Sequence, residues 1–228
     1  MRIEDTTERD RRFDMDVRGF LSRPPFCYRN VSEQDIRLFR AALTHDSYAN
    51  EAADRGERAE SYERLEFLGD AVLELLVCDH VYSCTSLSEG DMTEFKKDKV
   101  DNVRISEMVK EHGMDIDGVL RVGNVQIKGD KKDVQVKMRA DAFEALIAAV
   151  YLTRGLDEAR RVVYEVERLR REAAGPEGTA FIIRVSHTEK VVGSIEICVL
   201  LVVIQCFLDR LNRYNYKLIS RKPCYVIL

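Results

Sequence analysis

Five carboxylates stand in two short stretches that read as helix: Glu63, Glu66 and Asp70 in YERLEFLGDAVLELL, and Asp141 and Glu144 in ADAFEALIAAVY. An α-helix turns about 100° per residue, so positions 63, 66, 70 and 74 share an arc of roughly 80° on one face. Leu65, Leu68, Val72, Leu75 and Leu76 are expected on the opposite face. In the second stretch Asp141 and Glu144 lie one turn apart, beside an apolar stripe of Phe143, Leu146, Ile147 and Val150. If the two helices pack antiparallel, four or five acids converge, and like charges at that density stay ionised only where cations neutralise them. Hard oxygen donors of this kind suit Mg²⁺, with Mn²⁺ as a substitute, and no His or Cys cluster competes for a softer metal.

Acids at helical spacing usually form a solvated helix face, and either stretch taken alone reads that way. Two features count against it. Gly69 sits inside the acidic ridge, where glycine costs about 1 kcal/mol relative to alanine; it is tolerated where something approaches the backbone closely. The second stretch is small and apolar apart from its acids, so Asp141 and Glu144 belong to a largely buried helix and need partners.

The string ERLEFLGDAVLELL at 63 to 76 resembles the signature of the ribonuclease III family almost letter for letter. ALTHDSYANE at 42 to 51, EGDMTEFKKDKVDN at 89 to 102 and ADAFEALIAAVYL at 140 to 152 agree with that family in order and spacing, and the resemblance spans about 18 to 170. It implies an all-helical endonuclease domain in which Glu66, Asp70, Asp141 and Glu144 are metal-binding carboxylates. Glu63 matches a further acid of the catalytic valley, and Phe67 an aromatic inserted into a dimer partner. Lys96, Lys97 and Asn102 would face RNA. The implied activity is metal-dependent hydrolysis of double-stranded RNA by a homodimer, giving 5′-phosphate and 3′-hydroxyl ends with a short 3′ overhang. Paired cations about 3.5 to 4 Å apart suit such chemistry, since they activate a water and stabilise the leaving oxygen.

The chain reads as mainly helical through residue 173. Residues 1 to 17 read as an N-terminal extension, and 18 to 173 as the endonuclease domain. A helix from Glu33 to Ala42 is capped by Ser32. His45 and Ser47 fall in the stretch 44 to 50, where a lone histidine more often braces a helix end than performs chemistry. A loop over 51 to 61 precedes the signature helix at 62 to 83. Helices at 89 to 112, 137 to 153 and 156 to 173 follow, with 115 to 136 expected as a polar loop.

Gly175 and Pro176 mark a boundary. Residues 176 to 228 read as a small α+β module, a diverged or incomplete double-stranded RNA-binding domain. It lacks the opening helix and has Ile195, Glu196 and Ile197 where a lysine cluster belongs. The apolar run ICVLLVVI at 197 to 204 falls well short of the roughly 20 residues that cross a bilayer. No membrane partner is expected.

The net charge of −4 argues at first sight against nucleic acid, but its distribution matters. Residues 175 to 228 hold seven Lys or Arg against four Asp or Glu, and the acidic remainder includes the proposed metal ligands. Basic strings occur at Lys96, Lys97 and Lys99, at Lys128, Lys131 and Lys132, and at Arg168, Arg170 and Arg171. The six cysteines form no CxxC pair, so buried reduced thiols are expected. The opening stretch MRIEDTTERDRRF is charged throughout, which favours a cytoplasmic location. Two other readings stay open from the residues alone: an all-helical Mg-dependent nucleoside triphosphate pyrophosphohydrolase, and a non-catalytic RNA-binding subunit on the same scaffold.

Overall fold

The computed structural model describes residues 7–169, and the expectations for 176 to 228 and for 170 to 173 lie outside them. The described residues form nine α-helices and one small β-ribbon. In chain order these are α1 (Glu8–Leu21), α2 (Glu33–Ala42), α3 (Asp46–Asp54), α4 (Glu63–Cys84), α5 (Glu89–Lys99), α6 (Asn102–Glu111) and α7 (Ile116–Val119), then β1 (Ile127–Lys128), β2 (Lys131–Lys132), α8 (Val136–Arg154) and α9 (Leu156–Val166). No helix among them is long and apolar enough to cross a membrane.

The centre of the bundle is α8. Every residue from Met138 to Val150 is buried, as expected of a helix that is apolar nearly all round. Ala140, Ala142, Ala145, Ala148 and Ala149 are wholly enclosed; such small side chains let α2, α4, α6 and α9 pack directly onto this helix. Gly155, at φ +86°, lets the chain turn from α8 into α9 in a conformation that side chains rarely adopt. Asp141 and Glu144 are therefore carried into the interior by the helix with the most burial, and their cost must be met by neighbours.

Several boundaries differ from expectation, each for a local reason. Residues 8 to 17 are not an extension: α1 opens with a capping box in which Thr7 Oγ1 accepts from Asp10 N at 3.1 Å and the Asp10 carboxylate accepts from Thr7 N at 3.2 Å. Its Phe13, Val17, Phe20 and Leu21 join the common core. The helix expected over 89 to 112 is two helices, because Asp101 caps α6 by accepting from Val103 N (2.9 Å) and Arg104 N (3.2 Å). The segment 115 to 136 is not simply a polar loop. It buries Ile116, Leu120 and Val122 and forms the ribbon, with Ile127 opposite Lys132. α3 runs on to Asp54 through residues expected as loop. Leu75, expected on the buried face of α4, is 53% exposed. Cys27 is exposed and Cys78 and Cys84 are half-buried, so these thiols are free but not enclosed. Ser32 caps α2 as expected, accepting from Asp35 N at 3.0 Å.

Candidate metal centre and groove

α4 and α8 share the largest helix–helix contact of the bundle, and Gly69 is the reason they can approach so closely. A Cβ built on Gly69 would lie 1.8 Å from the carbonyl oxygen of Glu144. No side chain larger than hydrogen fits between the two backbones. The close approach expected of this glycine is thus made by the helix that carries the second pair of acids.

The consequence is a convergence of charge. Carboxylate oxygens of Glu66, Asp141 and Glu144 lie within 4.8 Å of one another, a spacing that one cation can bridge. Asp70 lines the same groove, and its charge is felt at Glu144, but its carboxylate is not one of the three. Burial, followed by the charges of Asp70, Asp141 and Glu66, pushes the Glu144 carboxyl up to about 8. Burial also raises Glu66, with Asp141 adding and Lys137 opposing. These three clustered carboxylates form a donor set whose charge a hard divalent ion would neutralise.

Glu63 is exposed at the groove's rim and accepts from Ser61 Oγ at 3.2 Å. Glu74, one turn beyond Asp70, is taken up by the Lys96 ammonium, so the acidic ridge ends in an ion pair between α4 and α5. Lys97 pairs with Glu94 at 2.7 Å. Neither lysine lines the groove, whereas Asn102 does, beside Asp101. Phe67 is 82% exposed at the groove edge.

Sequence reasoning missed three contributors. Lys137 Nζ donates to both oxygens of Asp141, at 2.8 and 2.7 Å, and to Glu66 Oε1 at 3.5 Å; its position four residues before Asp141 was the available signal. Tyr62 is buried, and its hydroxyl donates to Asp141 Oδ2 at 3.4 Å. Burial and the surrounding acids raise the Tyr62 phenol, so it stays a donor. Asp101, the cap of α6, also lines the groove. His45 caps α3, its Nδ1 accepting from Ser47 N at 3.1 Å, and its ring meets Tyr62 edge-on at 5.5 Å. It braces a helix end, while the same residue lines the groove wall. The whole cleft encloses about 970 Å³.

Fold and site together define a helical domain with a carboxylate-lined groove between α4 and α8, the two longest of the described helices. The chain belongs to the ribonuclease-III-like family, whose model matches residues 35–168. It is 38% identical over 139 residues to ribonuclease 3 of Onion yellows phytoplasma, covering 60% of this chain and 55% of that protein. It is 40% identical over 123 residues to ribonuclease 3 of Mesoplasma florum, covering 54% and 50%. The chain thus spans about half the length of the curated relatives it matches. The nuclease domain of ribonuclease III from Campylobacter jejuni has a similar fold, with a TM-score of 0.52 at 22% identity, covering 67% of this chain and 95% of that one.

Proposed function

We propose that this protein is a divalent-metal-dependent endoribonuclease that hydrolyses double-stranded RNA. Glu66, Asp70, Asp141 and Glu144 serve as metal ligands, and Mg²⁺ is the natural ion, with Mn²⁺ able to replace it. The observation that carries the reading is the meeting of Glu66, Asp141 and Glu144 within 4.8 Å across two helices. Glu66, Asp141 and Glu144 would hold the ion, whose chemistry when bound would be activation of water and neutralisation of phosphate charge. The chain's own residues do the positioning. The Tyr62 hydroxyl orients the Asp141 carboxylate, and Gly69 lets the two helices approach closely enough for their acids to meet. Asp70 lines the same groove and would add a fourth carboxylate to the ion's surroundings, and Glu63 at the rim acts on RNA placement more than on bond breaking.

The products are fragments with 5′-phosphate and 3′-hydroxyl ends and a short 3′ overhang, which requires two sites across a homodimer. Phe67, Leu75 and Tyr82 support that assembly: spaced at helical intervals along α4, they are 82%, 53% and 77% exposed, an apolar stripe that a second copy would cover. Asn102 contacts RNA from the groove wall. Lys96 and Lys97 do so only after leaving Glu74 and Glu94.

The test is cleavage of a defined RNA duplex with Mg²⁺ and with EDTA, mapping the product ends, alongside nucleoside triphosphates as competing substrates. Duplex cleavage that EDTA abolishes is expected, with no nucleotide hydrolysis. Glu144→Gln should lose cleavage yet bind duplex RNA as before. Cutting by that variant in Mg²⁺ would contradict the ligand assignment.

A further inference from the structure

Lys137 occupies the first turn of α8, and its ammonium lies on two of the three clustered carboxylates, Asp141 and Glu66. The side chain is 65% exposed. Core packing therefore does not force it inward, and its flexible stem could equally extend into water. Charge holds it there. Asp141, whose side chain is only 7% exposed, has both of its oxygens engaged by this one ammonium.

We propose that Lys137 is a displaceable internal counter-ion that sets the affinity of the acid cluster for divalent ions. The ammonium occupies carboxylates of Glu66 and Asp141 that a cation held by this cluster would need, so the two would compete for them. Entry of an ion must break the Lys137 contacts and turn the side chain out into the groove. Asp141 remains oriented meanwhile by the Tyr62 hydroxyl. The inference rests on the metal-site reading above and deepens it.

The sign of the effect separates this role from a merely structural one. A lysine that props the ligands in place would, on removal, weaken ion binding. A competitor would, on removal, strengthen it. Mn²⁺ binding to the full chain, followed by the paramagnetic resonance signal of the free ion, should be tighter in Lys137→Met than in the unaltered protein by roughly tenfold or more, equivalent to one charge-assisted contact. Lys137→Arg, which keeps the charge, should stay near the unaltered affinity. The rise in melting temperature on adding Mg²⁺ should be larger for Lys137→Met than for either of the others. Equal or weaker binding in Lys137→Met overturns the counter-ion role alone, as does tight binding in Lys137→Arg. Failure of every form to bind Mn²⁺ overturns the metal site along with it.

Discussion

Replacing Gly69 by alanine sets two effects of opposite sign against each other. Alanine is the better helix former by about 1 kcal/mol, so secondary structure alone predicts a more stable protein. Packing predicts the reverse. The added methyl would lie 1.8 Å from the Glu144 carbonyl oxygen, 2.4 Å from its carbon and 3.2 Å from its Cα. All three are backbone atoms of a buried helix, so no rotamer change relieves them. Reaching ordinary contact at about 3.5 Å requires α4 and α8 to part by roughly 1.5 Å. Overpacking costs about 1–3 kcal/mol, and with only backbone atoms in the way the upper end applies, so about 3 less the helix gain of about 1 leaves a net loss of about 2 kcal/mol. For a domain of this size that lowers the melting temperature by about 4–8 °C. Function should suffer more than stability, because Glu66 lies on one side of the opened junction and Asp141 and Glu144 on the other. A misplacement near 1 Å can cost about 100-fold in rate. Thermal unfolding and duplex RNA cleavage measured on the same preparation check both parts. A melting temperature that stays level or rises, with cleavage intact, would refute the claim that the two backbones touch at this point.

Other perturbations follow from the same geometry. Glu167 is fully enclosed, and burial outweighs the neighbouring Lys99 to push its carboxyl up to about 7. Its stabilising contribution is whole below the ordinary value of 4.5 and is lost as pH rises through about 7. Glu167→Gln should therefore raise the unfolding free energy from urea titrations near pH 8.5, by on the order of 2 kcal/mol, and leave it unchanged near pH 4.5; parallel profiles would refute this. The buried Arg139 guanidinium donates to Asp117 at 2.6 and 2.5 Å and to Ser106 Oγ at 2.7 Å. Asp117→Ala should destabilise by about 3 kcal/mol, and adding Arg139→Met should recover much of that loss in denaturant titrations. Phe67→Ala should leave the circular dichroism spectrum unaltered, since the ring is 82% exposed. It should move the sedimenting species toward the monomer, and an unmoved dimer would remove Phe67 from the interface.

Local spacing made much of this protein legible before any coordinates. The acid ridge of α4, the Asp141–Glu144 pair, the Ser32 cap and the meaning of Gly69 all follow from helix periodicity and residue chemistry, which act within one or two turns. The break between α5 and α6 was also written locally, in the Asp101 cap, but a continuous run of helix formers on either side hid it. Membership of α1 in the core was not local. Val17 and Phe20 become core residues only because other helices lie where their side chains point.

The sequence by itself determined which residue types line up on each helix face, because the backbone's own geometry sets that alignment. Only the tertiary structure decided which faces meet. It brought Glu66 to Asp141 and Glu144 across 75 or more positions of chain, left Asp70 at the edge of the cluster, and laid Lys137 on two of the three acids. Such placements depend on the summed packing of α8 against its neighbours, and no single stretch of sequence carries that sum.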